Sequence, residues 1–328
     1  MRAPTVVVAI ALGVQAEPKM CPSPSGFHPC DCIREVESGT RAEERSDDNG
    51  KKTLRLTHPN GTVEDVAECP YAPPPRGGGS AAAPRDPCAL DWPHAAPMEV
   101  FSRHNESIVR FTASYVVPEP PSVTKANILY YWIGLQDTDS AANPVIQPVL
   151  SYYPGSSPNN WYFKPRSLAT IYGLSVDFFS KRYFESWNCC PAGHKIKSAS
   201  VPVRGPGARL YGAMARAGGE SVVNSTNEAG ATSSLRVADG NIVGAWNWVD
   251  ITLETYDVEA CDEYSEGGAM VFDDMALTNA RGDAVTPAFV SKPYIDGAYL
   301  TPKESAAFTA CCGGKFETAW PRATMTQN

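Results

Sequence analysis

The side chains best placed to do chemistry in this chain are carboxylates and amides lodged among strand-forming residues. Gln147 stands in Asn143-Pro-Val-Ile-Gln-Pro-Val-Leu-Ser-Tyr-Tyr153, where Val145, Ile146, Val149 and Leu150 favour a strand and Pro148 removes a backbone donor. An uncharged amide in such a run is either a sheet-surface residue or a group aimed at something. A second cluster lies in Leu253-Glu-Thr-Tyr-Asp-Val-Glu259. Strand side chains alternate, so Asp257 and Glu259 share a face with Thr255, and Glu254 shares the other with Tyr256 and Val258. Two carboxylates about 5 Å apart on one face suit a retaining glycosidase, which makes Asp257 and Glu259 one candidate pair. The other arrangement puts Glu254 alone on the concave sheet, working with a residue from another strand.

Other catalytic sets find little support. No Gly-x-Ser-x-Gly marks a serine nucleophile, and His28, His58, His94, His104 and His194 fall in loop-like or N-terminal contexts. The ten cysteines are expected to pair in an oxidising compartment, which disfavours a Cys–His nucleophile. Cys30-Asp-Cys32, Cys189-Cys190 and Cys311-Cys312 lack zinc-ligand spacing, so no metal is expected. No glycine-rich phosphate loop precedes a helix. A net charge of -8 and the lack of a basic block argue against a nucleic-acid partner.

The elements that must hold these residues are strands. Runs rich in β-branched and aromatic residues recur at 108–117, 127–135, 144–153, 195–203, 208–215, 233–238, 245–260 and 268–279, separated by Pro, Gly, Asn and Ser. None carries the sustained 3.6-residue period of a long helix, so residues 88–328 are predicted to form an antiparallel β-sandwich or jelly roll. Residues 164–184 read as an inserted loop or short helix. Upstream, Met1-Arg-Ala-Pro opens an apolar run that ends at Val14-Gln-Ala16, the pattern of a secretory signal peptide over 1–16. That run is too short to span a bilayer. Residues 17–87 form a charged, weakly periodic N-terminal segment or pro-segment with cysteines of its own. It closes on a Pro/Gly/Ala linker at 72–87, an easy target for proteolysis. Sequons at Asn60, Asn105 and Asn224 agree with export.

Taken in order, several of these runs resemble the eqolisin family of glutamic endopeptidases. Tyr131-Trp-Ile-Gly-Leu135 and Val145-Ile-Gln147 match a "WVGI" strand followed by "ILQ". An aromatic block follows, Asn160-Trp-Tyr-Phe163 with Ser186-Trp187, and then Val201-x-Val-x-Gly205. Leu253-Glu-Thr-Tyr256 and Val271-Phe-Asp-Asp-Met-Ala-Leu-Thr-Asn279 complete the set, the last similar to "PFADFGTVTFTN". The likeness spans roughly residues 108–285 and implies a concanavalin-A-like sandwich. It also implies that Gln147 and Glu254 are the catalytic pair. Glutamate would act as general base on a water, and the glutamine amide would donate to the developing oxyanion, often worth about 3 kcal/mol. Trp132 and Trp161 would line the groove for an extended polypeptide, with no cofactor.

The expected protein is therefore a secreted, glycosylated, disulfide-containing monomer. It stays outside the cell or enters an acidic compartment of the secretory pathway. Two other functions fit the same fold: a non-catalytic module binding glycans or peptides, and a β-glucan hydrolase working through Asp257 and Glu259.

Overall fold

The computed structural model describes residues 19–24, 26–70, 92–122, 127–140, 144–153, 181–189, 191–239, 244–265, 269–291, 294–295, 298–299, 312 and 314–326. The signal-peptide stretch 1–16, the linker 72–87, Trp161 and residues 164–180 lie outside them. Strands dominate, accompanied by single 3-10 turns at Cys30–Cys32, Pro191–Gly193 and Cys261–Glu263. The N-terminal part supplies β1 Met20–Ser23, β2 Gly26–Pro29, β3 Ile33–Val36, β4 Thr40–Ser46, β5 Lys52–Thr57 and β6 Val63–Ala67. Next come β7 Trp92–Arg103, β8 Ile108–Val116, β9 Ile128–Gln136, β10 Val145–Tyr153, β11 Lys181–Cys189, β12 Lys195–Ser198 and β13 Val201–Pro202. These are followed by β14 Arg209–Ala217, β15 Glu220–Thr226, β16 Thr232–Ala238, β17 Trp248–Val258 and β18 Met270–Asn279. Short strands finish the chain: β19 Ala284–Val285, β20 Val290–Ser291, β21 Tyr294–Ile295, β22 Ala298–Tyr299, β23 Lys315–Ala319 and β24 Arg322–Thr326.

Two large sheets form the expected sandwich. The first runs β22-β21-β7-β17-β9-β10-β11-β12-β3, with β13 on β11 and β20 on β7. The second runs β23-β24-β18-β8-β14-β15-β16-β4-β5-β6, with β19 on β18. Their inner faces interdigitate in one core. Tyr131, Ile133, Leu135, Ile146, Leu150, Ile251 and Leu253 come from the first sheet, and Phe111, Tyr115, Met214, Val223, Phe272 and Leu277 from the second.

The N-terminal segment is built into this architecture. β3 pairs in parallel with β12 at the edge of the first sheet, and β4 pairs in parallel with β16 in the second. β5 and β6 continue that second sheet antiparallel. Val36, Ala42, Leu54, Leu56 and Val66 of the segment share a buried cluster with Ile196, Leu235 and Val237. The hairpin β1–β2, closed by the Cys21–Cys30 disulfide, leaves the sheet edge and lies over the outer face of the first sheet. Cys32–Cys69 and Cys261–Cys312 are further bridges among the described residues.

A sheet with one wet face alternates buried and exposed side chains. β15 does so along its length, whereas every residue of β9 is buried, and on β17 only Trp248 and Asp257 are not. The central strands of the first sheet are thus covered on both faces.

Candidate active site

Alternation sorts the central strands of the first sheet. Ile133, Leu135, Ile146, Leu150, Ile251 and Leu253 enter the core, so Trp132, Gly134, Gln147, Asp250, Thr252 and Glu254 belong to the outer face. Gln147 and Glu254, expected to work together, do lie on one face of one sheet. β9 separates their strands. Glu254 is paired with Tyr130, while the unbroken register between β9 and β10 sets Gln147 level with Gly134. Gly134 is paired on its other side with Asp250. Asp250 is thus the β17 side chain level with Gln147, and Glu254 lies four residues further along.

Loops at one end of the sheet hold this register. Asp137, just past β9, accepts four backbone N–H bonds: from Asp139 and Ser140 at 3.1 Å each, Gly244 at 2.6 Å and Ala245 at 3.1 Å. Asn247, just before β17, accepts from the Thr138 amide at 3.1 Å and donates to Asp139 at 2.6 Å. The two loops are thereby tied side by side where β17 begins.

Pro148 explains how Gln147 is set. Pro148 has no N–H for its neighbour in the ladder. The Tyr115 hydroxyl, reaching across the core from β8, bridges β9 and β10 at this point: it donates to the Pro148 carbonyl at 2.8 Å and accepts from the Ile133 amide at 3.2 Å. Burial raises the Tyr115 hydroxyl well above its ordinary pKa, so it stays a neutral donor. The Pro148 ring packs over Gly212 of β14, where a Cβ would come within 2.8 Å of it. Gln147 itself is 1% exposed, and its Nε2 has no hydrogen-bond partner. A buried amide donor left unpaired costs about 1–3 kcal/mol, so this group is set for an acceptor.

Gly134 is the floor between Gln147 and Asp250. A Cβ there would lie 2.8 Å from Cζ3 and 3.1 Å from Cε3 of Trp132, so the six-membered edge of the indole covers it. The other edge of the indole is fixed by Nε1, which donates to Glu254 Oε2 at 3.3 Å. Glu254 is fully buried and also accepts from the Tyr256 hydroxyl at 2.9 Å. Asp250, 2% exposed, accepts from the Trp248 indole N–H, and Trp248 stacks on Phe101 with centroids 3.8 Å apart. Thr252, between the two carboxylates, has a buried hydroxyl without a partner and pairs across to the buried Glu99 of β7.

The hairpin β1–β2 closes the Glu254 end of this face. Its Ser23 carbonyl accepts from the Tyr256 hydroxyl at 2.6 Å, and Phe27 meets Tyr256 edge-on at 5.0 Å. Cys21 is buried among Tyr130, Trp132, Val149, Trp187 and Tyr256.

The remaining sequence candidates fall elsewhere. Asp257 and Glu259 are exposed at the end of β17. Asp257 has φ 53°, which interrupts the alternation and separates the pair from buried Thr255. Burial and the neighbouring Glu259 raise the Asp257 carboxyl. Trp161 lies outside the described residues. Asn60 and Asn105 are exposed, and Asn224 is half-buried on β15. His28, Cys32 and Cys69 come within metal-ligand distance of one another, but both sulfurs belong to one disulfide. No helix among the described residues is long and apolar enough to cross a membrane. Sequence reasoning missed Asp250, although Asp250-Ile-Thr-Leu-Glu254 carries the signal: two acids four apart share a strand face.

Fold and site together define a two-sheet β-sandwich with a closed polar cluster, one unpaired amide and several carboxylates, on the outer face of one sheet. No family model matches the chain, and no curated protein matches it. Among solved structures it is similar to scytalido-glutamic peptidase bound to a peptide-based transition-state analogue, at 9% identity and a TM-score of 0.43. That match covers 73% of this chain and 99% of the other. A second structure of that peptidase, with a transition-state analogue inhibitor, matches at 10% identity and a TM-score of 0.43, covering 73% and 98%. The enzymatically active domain of bacteriophage CBA120 tailspike protein 2 matches at 12% identity and a TM-score of 0.27, covering 65% and 25%.

Proposed function

We propose that the chain is an exported peptide hydrolase that pairs a neutral amide with a carboxylate, as the resemblance to glutamic endopeptidases implies. Gln147 is its neutral oxyanion donor, and a carboxylate on the outer face of β17, expected from sequence to be Glu254, is its general base. The observation that supports this reading is the unpaired, buried Gln147 Nε2, beside the Tyr115–Pro148 arrangement and on the sheet face that also carries Asp250 and Glu254. An amide neither gains nor loses charge in acid, so it can stabilise an oxyanion where a histidine would be protonated. Trp132 supplies an apolar floor for an extended polypeptide. Residues 17–87 act as a pro-segment whose hairpin occupies the face in the latent form. Glycans at Asn60, Asn105 and Asn224 fit export.

The test is direct. Purified protein, intact or cut between residues 71 and 91, is incubated near pH 3 with a denatured protein, and new N-termini are counted. Cleavage is expected, and Gln147→Leu should lower it about 100-fold or more, the usual cost of removing one oxyanion donor. Undiminished cleavage by Gln147→Leu overturns the assignment. Absence of cleavage by either form, with retention on a glycan or peptide column, would instead identify a recognition module.

A further inference from the structure

We infer that Asp250, rather than Glu254, is the carboxylate that activates water opposite Gln147, and that Glu254 is a positioning residue acting through Trp132. The inference rests on the peptidase reading above and names its base.

The argument is one of register. Neighbouring strands lie about 4.8 Å apart and rise about 3.3 Å per residue. Gln147 and Asp250 stand on either side of Gly134, two strand spacings or about 10 Å apart at the backbone, with their side chains on the same face. Glu254 is displaced a further four residues, or about 13 Å along the strand, which puts its backbone about 16 Å from that of Gln147. A water that a carboxylate and an amide both touch needs each within hydrogen-bond reach, and of the two separations only the first is short enough for that. The bare Cα of Gly134 lets the edge of Trp132 lie against the sheet, where it forms the floor between the two side chains.

The partners of the two acids divide their roles in the same way. Glu254 Oε2 accepts from the Trp132 indole N–H, and its Oε1 lies 2.9 Å from the Tyr256 hydroxyl, whose one proton it shares with the Ser23 carbonyl. Its carboxylate fixes the indole whose far edge lies over Gly134. Asp250 is oriented by the Trp248 indole N–H, and that ring is itself held by stacking on Phe101. An oriented carboxylate level with an unpaired amide donor has the layout that hydrolysis requires.

The step balances as follows. Asp250 takes one proton from water, and the resulting hydroxide adds to the scissile carbonyl carbon. The carbonyl π pair moves to oxygen, which accepts from Gln147 Nε2. When that oxygen re-forms its double bond, the C–N bond breaks and the departing nitrogen receives the proton from Asp250. The products are a carboxylic acid and an amine, and the Asp250 carboxylate is restored.

Asp250→Asn, Glu254→Gln and Trp248→Phe decide the matter in the full chain, with cleavage of a denatured protein and thermal unfolding followed together. Asp250→Asn is expected to melt like the wild type and to lose about 1,000-fold in kcat, in line with the loss of a general base. Glu254→Gln should stay within about tenfold of wild type in kcat, with the larger effect on KM, because it acts only through Trp132. Trp248→Phe removes a hydrogen bond to the charged base and should move the acid limb of kcat/KM upward by about half a pH unit. The inference is overturned if Glu254→Gln abolishes turnover while Asp250→Asn retains it; the peptidase reading then stands with the other acid. Should Asp250→Asn not fold, Trp248→Phe decides alone, and an acid limb that stays put overturns the inference. A wild type without activity removes the reading and the inference together.

Discussion

At the scale of residues, the site depends on a proline in the wrong place for a ladder and a tyrosine that repairs it. Tyr115 satisfies both the Ile133 amide and the Pro148 carbonyl, each of which would otherwise be buried and unpaired. Tyr115→Phe should therefore destabilise the protein by about 2 kcal/mol, since the ring packing is retained and only the hydroxyl is lost. Urea unfolding with an unchanged slope measures this. A loss below about 0.5 kcal/mol would mean that the two strands close the gap unaided. The sequence reveals the oddity of Gln147-Pro148 but not its remedy, because Tyr115 and Pro148 are 33 residues apart in the chain. The same holds for Gly134, whose need for a bare Cα arises from the Trp132 ring folded back over it.

At the scale of elements, the hairpin β1–β2 covers the Glu254 end of the outer face. His28 on β2 is buried, and its Nε2 lies 2.9 Å from the Gly193 carbonyl. Burial, with the Lys195 charge on β12 and a smaller contribution from His194, lowers the His28 pKa from 6.5 to about 4. Released from its site, His28 would regain its ordinary value and bind more protons than the docked form between those two pH values. Docking is therefore fully stable above about pH 6.5, weakens as the pH falls toward 4, and does not weaken further from this cause below 4. Protection factors of the amides in 20–29, with exchange corrected for the intrinsic rate at each pH, should fall between pH 7 and 4.5, and His28→Gln should flatten that dependence. An equally steep response in the variant would assign it to other groups. The direction suits the proposed chemistry, since acid would loosen the cover over the Glu254 end of the face.

At the scale of the whole molecule, the N-terminal segment belongs to both sheets. β3 and β4 are hydrogen-bonded into different layers, and the cluster around Leu54, Leu56, Ile196 and Leu235 is buried between them. Cutting the chain between residues 71 and 91 should leave two fragments that co-elute on gel filtration under native conditions and share one thermal transition. Separation without denaturant would show that the segment contributes little to the core. Deleting residues 19–70 should cost far more than cutting, because fully burying each Leu or Val side chain contributes about 1.5–3 kcal/mol.

Much of this protein follows from sequence alone. The strand runs, the sandwich class and the alternation that sorts the side chains of each strand to its two faces are all local, because a period of two is a property of the backbone itself. Alternation also puts Asp250 on the face of β17 that carries Glu254. Which acid stands level with the amide is a matter of register across β10, β9 and β17. That register is set by long-range ties at Asp137 and Asn247 and by the loops between, none of which has a periodic signature. The cover is equally non-local. A hairpin from residues 20–29 can seal a face built from residues 128–256 only because β3 anchors it at the far edge of the same sheet. Periodicity determined which way each side chain points; only the folded sheets decided which of them meet.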